Sequence, residues 1–306
     1  MPTASMHLRD VAMKSLAFMH RNDTRFAVGD FSPVLSVFSH YELGNTISPF
    51  LLLDHIGPGL LQPSSQRKGV HEHPHRGFET VTIVYAGEIE HRDSTGAGGI
   101  IRAGDVQWMT AAAGILHEEF FSDAFTQRGG RFELVQLWVN LPAASKMSAP
   151  GYQNLAQADI PIIELPAQAG SVRVIAGRFN EAAGPAITHT RISILDVQIR
   201  AGHEVTFKTE AGDTALVFLR SGSLQFLPDE RLEADGLAVM SSRERDFVVT
   251  AIENSQLLVL IGEPLNEPIN AHGPFVMNSY NEVLQGFEDL KGGRFGLLPD
   301  ETLSHH

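Results

Sequence analysis

The chain breaks its apolar residues into short runs and never lets one grow long. Pro49 to Leu53, Val81 to Tyr85, Leu134 to Val139, Ser193 to Val197, Ala215 to Leu219 and Leu257 to Ile261 are the clearest of them. Many alternate apolar with polar residues or are rich in Val and Ile, and Gly-Asp and Ser-Gly turns separate them. Alternation with a period of two suits a pleated strand whose one face is buried. Few stretches between the runs carry a helical period. The pattern predicts an all-β protein of sandwich or barrel type, and 306 residues suit two such domains better than one.

One helix stands out against this background. Ser279 followed by Glu282 forms a capping-box pattern, Val283, Leu284, Phe287 and Leu290 then share a face, and Gly292 and Gly293 stop the run. A helix from about Tyr280 to Lys291 is therefore expected, with a second one after Pro142. Between Leu141 and Pro166 four prolines (Pro142, Pro150, Pro161, Pro166) interrupt the apolar pattern. Residues 142–166 read as a linker between an N-terminal domain, 1–141, and a C-terminal domain, 167–306. The halves echo each other. Ala86-Gly87-Glu88 and Ser221-Gly222-Ser223 each end a strand, and Ala103-Gly104-Asp105 and Ala234-Asp235-Gly236 each open another. That predicts a duplicated barrel.

Charge and cysteine content narrow the function. A formal net charge of -13 opposes contact with nucleic acid or anionic membranes, since both need a basic surface. The chain has no cysteine, which removes disulfides, thiolate ligands and cysteine nucleophiles. Met1 to Ser15 carry Arg9, Asp10 and Lys14 and no apolar core, unlike a signal peptide. No apolar run approaches the roughly 20 residues of a membrane span. A cytoplasmic protein is the expectation.

The residues that can carry chemistry are concentrated. Of fourteen histidines, five fall between His71 and His117. His73 and His75 are two apart, so on a strand both point the same way with Cβ atoms about 7 Å apart. His117 and Glu119 repeat that spacing. If the two strands face each other inside a barrel, three imidazoles and a carboxylate meet at one point. Such a set suits iron, manganese, cobalt, nickel, copper or zinc rather than calcium. In octahedral geometry it leaves two positions open, as a catalytic site requires. Pro74 restricts its strand to an edge or a bulge. A solvated His-rich loop would explain the first pair alone, and the second pair weighs against it.

The run from His73 to Thr80, HPHRGFET, resembles the signature of the pirin family, a branch of the cupins. So do Gly104 to Thr110, GDVQWMT, and Gly114 to Glu119, GILHEE, with further matches at Pro49 to Asp54, Asn140 to Pro142 and Gly273 to Asn278. The resemblance implies a bicupin, two tandem cupin β-barrels, with one divalent metal ion in the N-terminal barrel on His73, His75, His117 and Glu119. Fe2+ is the first expectation, and the same ligands admit Zn, Mn, Co, Ni or Cu. It also implies a quercetin 2,3-dioxygenase-like activity that opens a flavonol with O2 and releases carbon monoxide; in such a reaction Glu119, the candidate catalytic residue, can stay on the metal or accept the substrate hydroxyl proton. The partners are then a flavonol-like small molecule and dioxygen, with no direct nucleic-acid or membrane contact. Two other readings stay open: a redox-sensing transcription cofactor acting through a protein partner, and another small-molecule cupin enzyme. Ala112-Ala113 departs from the Gly-Arg that many relatives carry there.

The remaining candidates have plainer expectations. Counting from the turn glycines puts Lys208, Glu210 and Val249 where the first half has its ligands. From Thr190 to Gly262 the only histidine is His203, expected in a loop, so the second barrel should hold no metal. His91 should be solvated at a strand end. His55 is either structural or a support for the ligands. Trp108, Met109 and Phe78 line the pocket or pack the barrel. Arg76 and Glu79 are expected as an ion pair, and His305 and His306 as a disordered end.

Overall fold

The computed structural model describes residues 13–227 and 230–299, so His305 and His306 lie outside it. In the first half the strands are β1 (Leu16–Arg21), β2 (Arg25–Val28), β3 (Phe31–Ser39), β4 (Phe50–Leu61), β5 (Gly69–His75), β6 (Phe78–Ala86), β7 (Glu88–Asp93), β8 (Gly98–Arg102), β9 (Val106–Thr110), β10 (Ile115–Phe121) and β11 (Gly130–Asn140). All of these but β1, together with β12 (Gly151–Leu155), build a seven-stranded antiparallel sheet, in the order β12-β9-β6-β11-β4-β3-β2, and a four-stranded one, β5-β10-β7-β8. The second half repeats the plan. Strands Gly236–Met240, Thr214–Ser221, Ser255–Gly262, Ile192–Ile199, Gly170–Ala176 and Ile162–Glu164 make the large sheet, and Glu204–Phe207, Phe247–Ala251, Ser223–Leu227 and Glu230–Glu233 the small one. The expected all-β bicupin is the observed fold. Gly87 and Gly222, at equivalent turns, both adopt positive φ (89° and 92°), which Cβ-bearing residues rarely do.

Why the runs are apolar on both faces follows from the packing. On β11, Val135, Leu137 and Val139 point out of the first barrel into a core shared with Leu216, Phe218, Leu258 and Leu260 of the second. Leu134, Gln136 and Trp138 point inward. The large sheets of the two barrels thus pack back to back, and a strand buried on both faces reads as a continuous apolar run. A polar cluster completes this interface. His55 sits between Glu133, at 3.2 Å, and Asp235, at 3.3 Å, and the Arg220 guanidinium lies 3.4 Å from the centre of the Tyr85 ring.

Strand pairing crosses the expected domain limits in three places. β1 pairs with Gly236–Met240 of the second barrel. The segment read as a linker gives β12 to the first barrel, beside β9, and Ile162–Glu164 to the second, beside Gly170–Ala176. Pro142 is followed by a 3-10 turn, Ala143–Ser145, in place of the expected helix. The helix Tyr280–Lys291 forms with its capping box intact. It packs on the first barrel, where Val283, Phe287 and Leu290 meet Leu116 and Phe275. Leu284 is 45% exposed, because it lies about 100° around the helix from Val283. Two buried cations pin this C-terminal arm. Arg76 donates to Asp289 at 2.8 Å. The Lys146 ammonium donates its three hydrogens to Asn140 Oδ1 and to the carbonyls of Gly77 and Val276. Among the described residues no helix is long and apolar enough to cross a membrane.

Candidate metal centre

β5 is the edge strand of the small sheet and pairs only with β10, so Pro74 sits where a missing N–H is tolerated. The register sets His73 directly opposite His117 and His75 opposite Ile115. The ladder then slips, so that Glu119 faces Val70, a bulge of the kind that re-aims side chains at barrel rims. Three imidazoles converge as a result. Ring centres are 4.1 Å apart for His73 and His117, 4.7 Å for His75 and His117, and 4.9 Å for His73 and His75. One nitrogen from each lies within 4.8 Å of the others.

Which nitrogens are free is decided by the surroundings. His73 Nδ1 is 2.8 Å from the carbonyl of His71, and His117 Nδ1 is 2.8 Å from His91 Nε2. His75 is tied to the carbonyl of Pro274. That leaves His73 Nε2, His75 Nδ1 and His117 Nε2 to face one another. The last two are buried without a hydrogen-bond partner. Burial lowers the pKa of all three rings, well below the ordinary value for His75 and His117, so they are neutral. Unpartnered buried ring nitrogens are costly unless something accepts their lone pairs. The donor set therefore fits a divalent ion of borderline hardness.

Glu119 stands apart from this cluster. Burial pushes its pKa up to about 7, with the Thr82 hydroxyl beside its carboxyl and that hydroxyl's one hydrogen donated to Gln136 Oε1 at 2.6 Å. With His73 and His75 it lines a cavity of about 320 Å³. Apolar walls come from Phe31, Ile56, Ile89, Leu134 and Trp138. Cross-strand register lays a polar row along the interior face of the large sheet: Ser36 opposite Asp54, Asp54 opposite Gln136, Gln136 opposite Thr82.

Several plainer expectations need correction. His91 is not solvated: it is fully buried, and it stacks on Tyr152 while holding His117. The signal was present in β7, where Ile89, His91 and Asp93 alternate onto the buried face. Arg76 and Glu79 do not pair. Arg76 reaches Asp289 and the carbonyl of Ala113, and Glu79 accepts from Thr110 at 2.7 Å. Ala112 and Ala113 thus serve through their carbonyls, the former accepting from the Gly77 N–H. His55 belongs to the interface between barrels. Trp108 packs in the core between the barrels, and Met109 packs with Ala111 and Ile115. Phe78 touches the site, 5.1 Å from His75 and stacked on Trp138.

Register also locates the matching positions in the second barrel. Val249 pairs with Val205 as His117 pairs with His73, and Phe247 pairs with Phe207 as Ile115 pairs with His75. The four ligand positions hold Val205, Phe207, Val249 and Ala251, all buried and apolar. Counting forward from Gly236 reaches Val249 correctly, but counting back from Gly222 stops three residues short of Val205 and Phe207, at Lys208 and Glu210. His203 lies in the turn before that strand.

Comparison with known proteins bears on the whole chain. A family model described as Pirin matches residues 32–139, and one described as the Pirin C-terminal cupin domain matches 194–296. A Pseudomonas aeruginosa protein provisionally named quercetin 2,3-dioxygenase is 52% identical over 283 residues, 92% of this chain and 99% of that one. A pirin-like protein of Caulobacter vibrioides is 38% identical over 81% of this chain and 87% of its own. Among solved structures, a quercetin 2,3-dioxygenase from Acinetobacter baumannii superposes with a TM-score of 0.91 at 46% identity, covering 93% of this chain and 99% of that one.

Proposed function

The chain belongs to the pirin family, and from that premise we propose that it is a metal-dependent dioxygenase that opens the central ring of a flavonol such as quercetin with dioxygen. The observation that carries this reading is the three-imidazole cluster bordering an apolar cavity of about 320 Å³, at the lower end of the roughly 300–1,000 Å³ of small-molecule sites. The names of the two quercetin dioxygenase-like relatives support it.

His73, His75 and His117 would hold a divalent ion, Fe2+ first among the candidates, with Glu119 as the fourth protein group beside it. When bound, such an ion supplies Lewis acidity that lowers the pKa of an enol hydroxyl. The chain's own residues do the rest. Phe31, Ile56 and Trp138 exclude water and present flat apolar surface to aromatic rings. Glu119, desolvated so that its pKa sits near neutrality, takes the proton of the flavonol 3-hydroxyl on its carboxylate.

The test is quercetin depletion by iron-loaded protein, with and without dioxygen. Turnover that needs both metal and dioxygen is expected. Undiminished depletion under strict anaerobiosis would exclude a dioxygenase. No depletion by fully loaded protein would return the chain to the regulatory reading or to another cupin chemistry.

A further inference from the structure

Asp54 is the one charged group of the cavity that the reading above does not use. It stands on β4, and its row of neighbours leads across Gln136, which accepts from the Thr82 hydroxyl at 2.6 Å, toward Glu119. Adjacent strands are about 4.8 Å apart, so the backbones of Asp54 and Thr82 are separated by about 10 Å across the sheet. Ser36 donates a hydrogen bond to the Asp54 carboxyl. Asp54 Oδ1 is buried and has no hydrogen-bond partner among the described residues. Burial pushes this carboxyl up to about 6, which leaves it largely ionised at neutral pH.

An acceptor oxygen of this kind, which no donor of the cavity wall reaches, is satisfied by a donor that enters with the ligand or by water. No lysine or arginine is found among the described residues that line the cavity. A ligand carboxylate would therefore meet Asp54 and Glu119 with no cationic side chain to offset them. The walls favour aromatic rings and the polar row favours O–H donors.

We propose that Asp54 is a specificity-determining residue that accepts a hydrogen bond from a second hydroxyl of the ligand, one not attached at the metal end, and so restricts the cavity to uncharged polyhydroxylated aromatic compounds. This rests on the flavonol reading and sharpens it. Ligands of the class carry a chelating enol at one end and a phenolic hydroxyl elsewhere. Sites built to bond a hydroxyl discriminate strongly against analogues that lack it, because the buried acceptor is then left unpaired.

The test reads binding alone, by calorimetry on full-length protein loaded with redox-inert zinc, so that no turnover is required. The probes are quercetin, which carries several ring hydroxyls, and 3-hydroxyflavone, which keeps only the chelating one. Wild-type protein is expected to bind quercetin about tenfold or more tightly than 3-hydroxyflavone. Asp54→Ala should bring the ratio close to one without weakening 3-hydroxyflavone. Asp54→Asn, which keeps an acceptor oxygen and the shape, should retain part of the preference. Equal binding of the two probes by wild-type protein would overturn the proposal whether or not a variant folds. A wild-type ratio kept by zinc-loaded Asp54→Ala would overturn it while leaving the flavonol reading intact. Wild-type protein that binds neither probe would overturn both.

Discussion

His91 Nε2 lies 2.8 Å from His117 Nδ1, and that contact determines which nitrogen of His117 can bind a metal. Burial pushes the His91 pKa down to about 3, so this ring is neutral and its Nε2 can accept. For His117 to turn the lone pair of Nε2 toward His73 and His75, its proton sits on Nδ1 and is donated to His91 Nε2, with His91 protonated on Nδ1. Partners of this sort fix the tautomer and orientation of a ligating imidazole, and losing one commonly costs about 10–100-fold in metal affinity.

His91→Phe should lower metal affinity by about that factor while keeping the stack on Tyr152, and His91→Gln, which can still accept through Oε1, should restore most of it. Competition with a chelator measures both. Unchanged affinity in His91→Phe would mean that His117 is held by something else.

Glu119→Gln separates proton transfer from metal retention. The carboxamide still fits beside the imidazoles but cannot take a proton. Turnover should fall by about 10²–10⁴-fold, with a much smaller loss of bound metal. Parallel loss of both would make Glu119 a ligand first and a base second.

The two arms and the second barrel's interior show where sequence stops being sufficient. Strand runs, the terminal helix and the paired His-x-His and His-x-Glu spacings are local patterns with fixed periods, and these were legible. That β1 joins the second barrel and the terminal helix the first depends on partners more than 150 residues apart, which no local period encodes. His91 lies between these cases. The alternation of β7 exposes its inward direction, but its partner is fixed only by pairing of β7 with β10. Spacing places Glu119 beside the histidines, and it lines the same cavity as His73 and His75, while the bulge on β5, which no local period encodes, sets it opposite Val70.

The C-terminal arm should matter to the site it clasps. Arg76 follows His75 in sequence, and both it and Asp289 are buried. Asp289→Ala leaves the guanidinium with the Ala113 carbonyl but without its carboxylate, at a cost of about 1.5–3 kcal/mol, and should lower metal content with it. Thermal unfolding and metal analysis report the two effects. A melting temperature within a degree or so of wild type would show that the arm is dispensable.

The contact between barrels should be pH-dependent. Burial alone would depress His55, but Asp235 and Glu133 overcome it and raise the pKa above the ordinary 6.5. A raised folded-state value contributes stability that is fully present below 6.5 and lost as pH rises through the folded value. Glu133 and Asp235 are held below their ordinary 4.5 and 3.8, so their share is present above those values and lost in more acid solution. The cluster is therefore strongest near pH 5–6.5. His55→Leu should cost about 1–3 kcal/mol at pH 6, and the gap to wild type should narrow by pH 9. Denaturant unfolding at the two pH values measures it, and a gap that widens with pH would reverse the assignment.

The central claim is that one divalent ion sits on His73, His75 and His117 and nowhere in the second barrel. Elemental analysis of protein purified without added metal, beside His75→Ala and His117→Ala, tests it most directly. The account predicts about one ion per chain in wild-type protein and almost none in either variant. Two ions per chain, or a full complement retained by both variants, would contradict it.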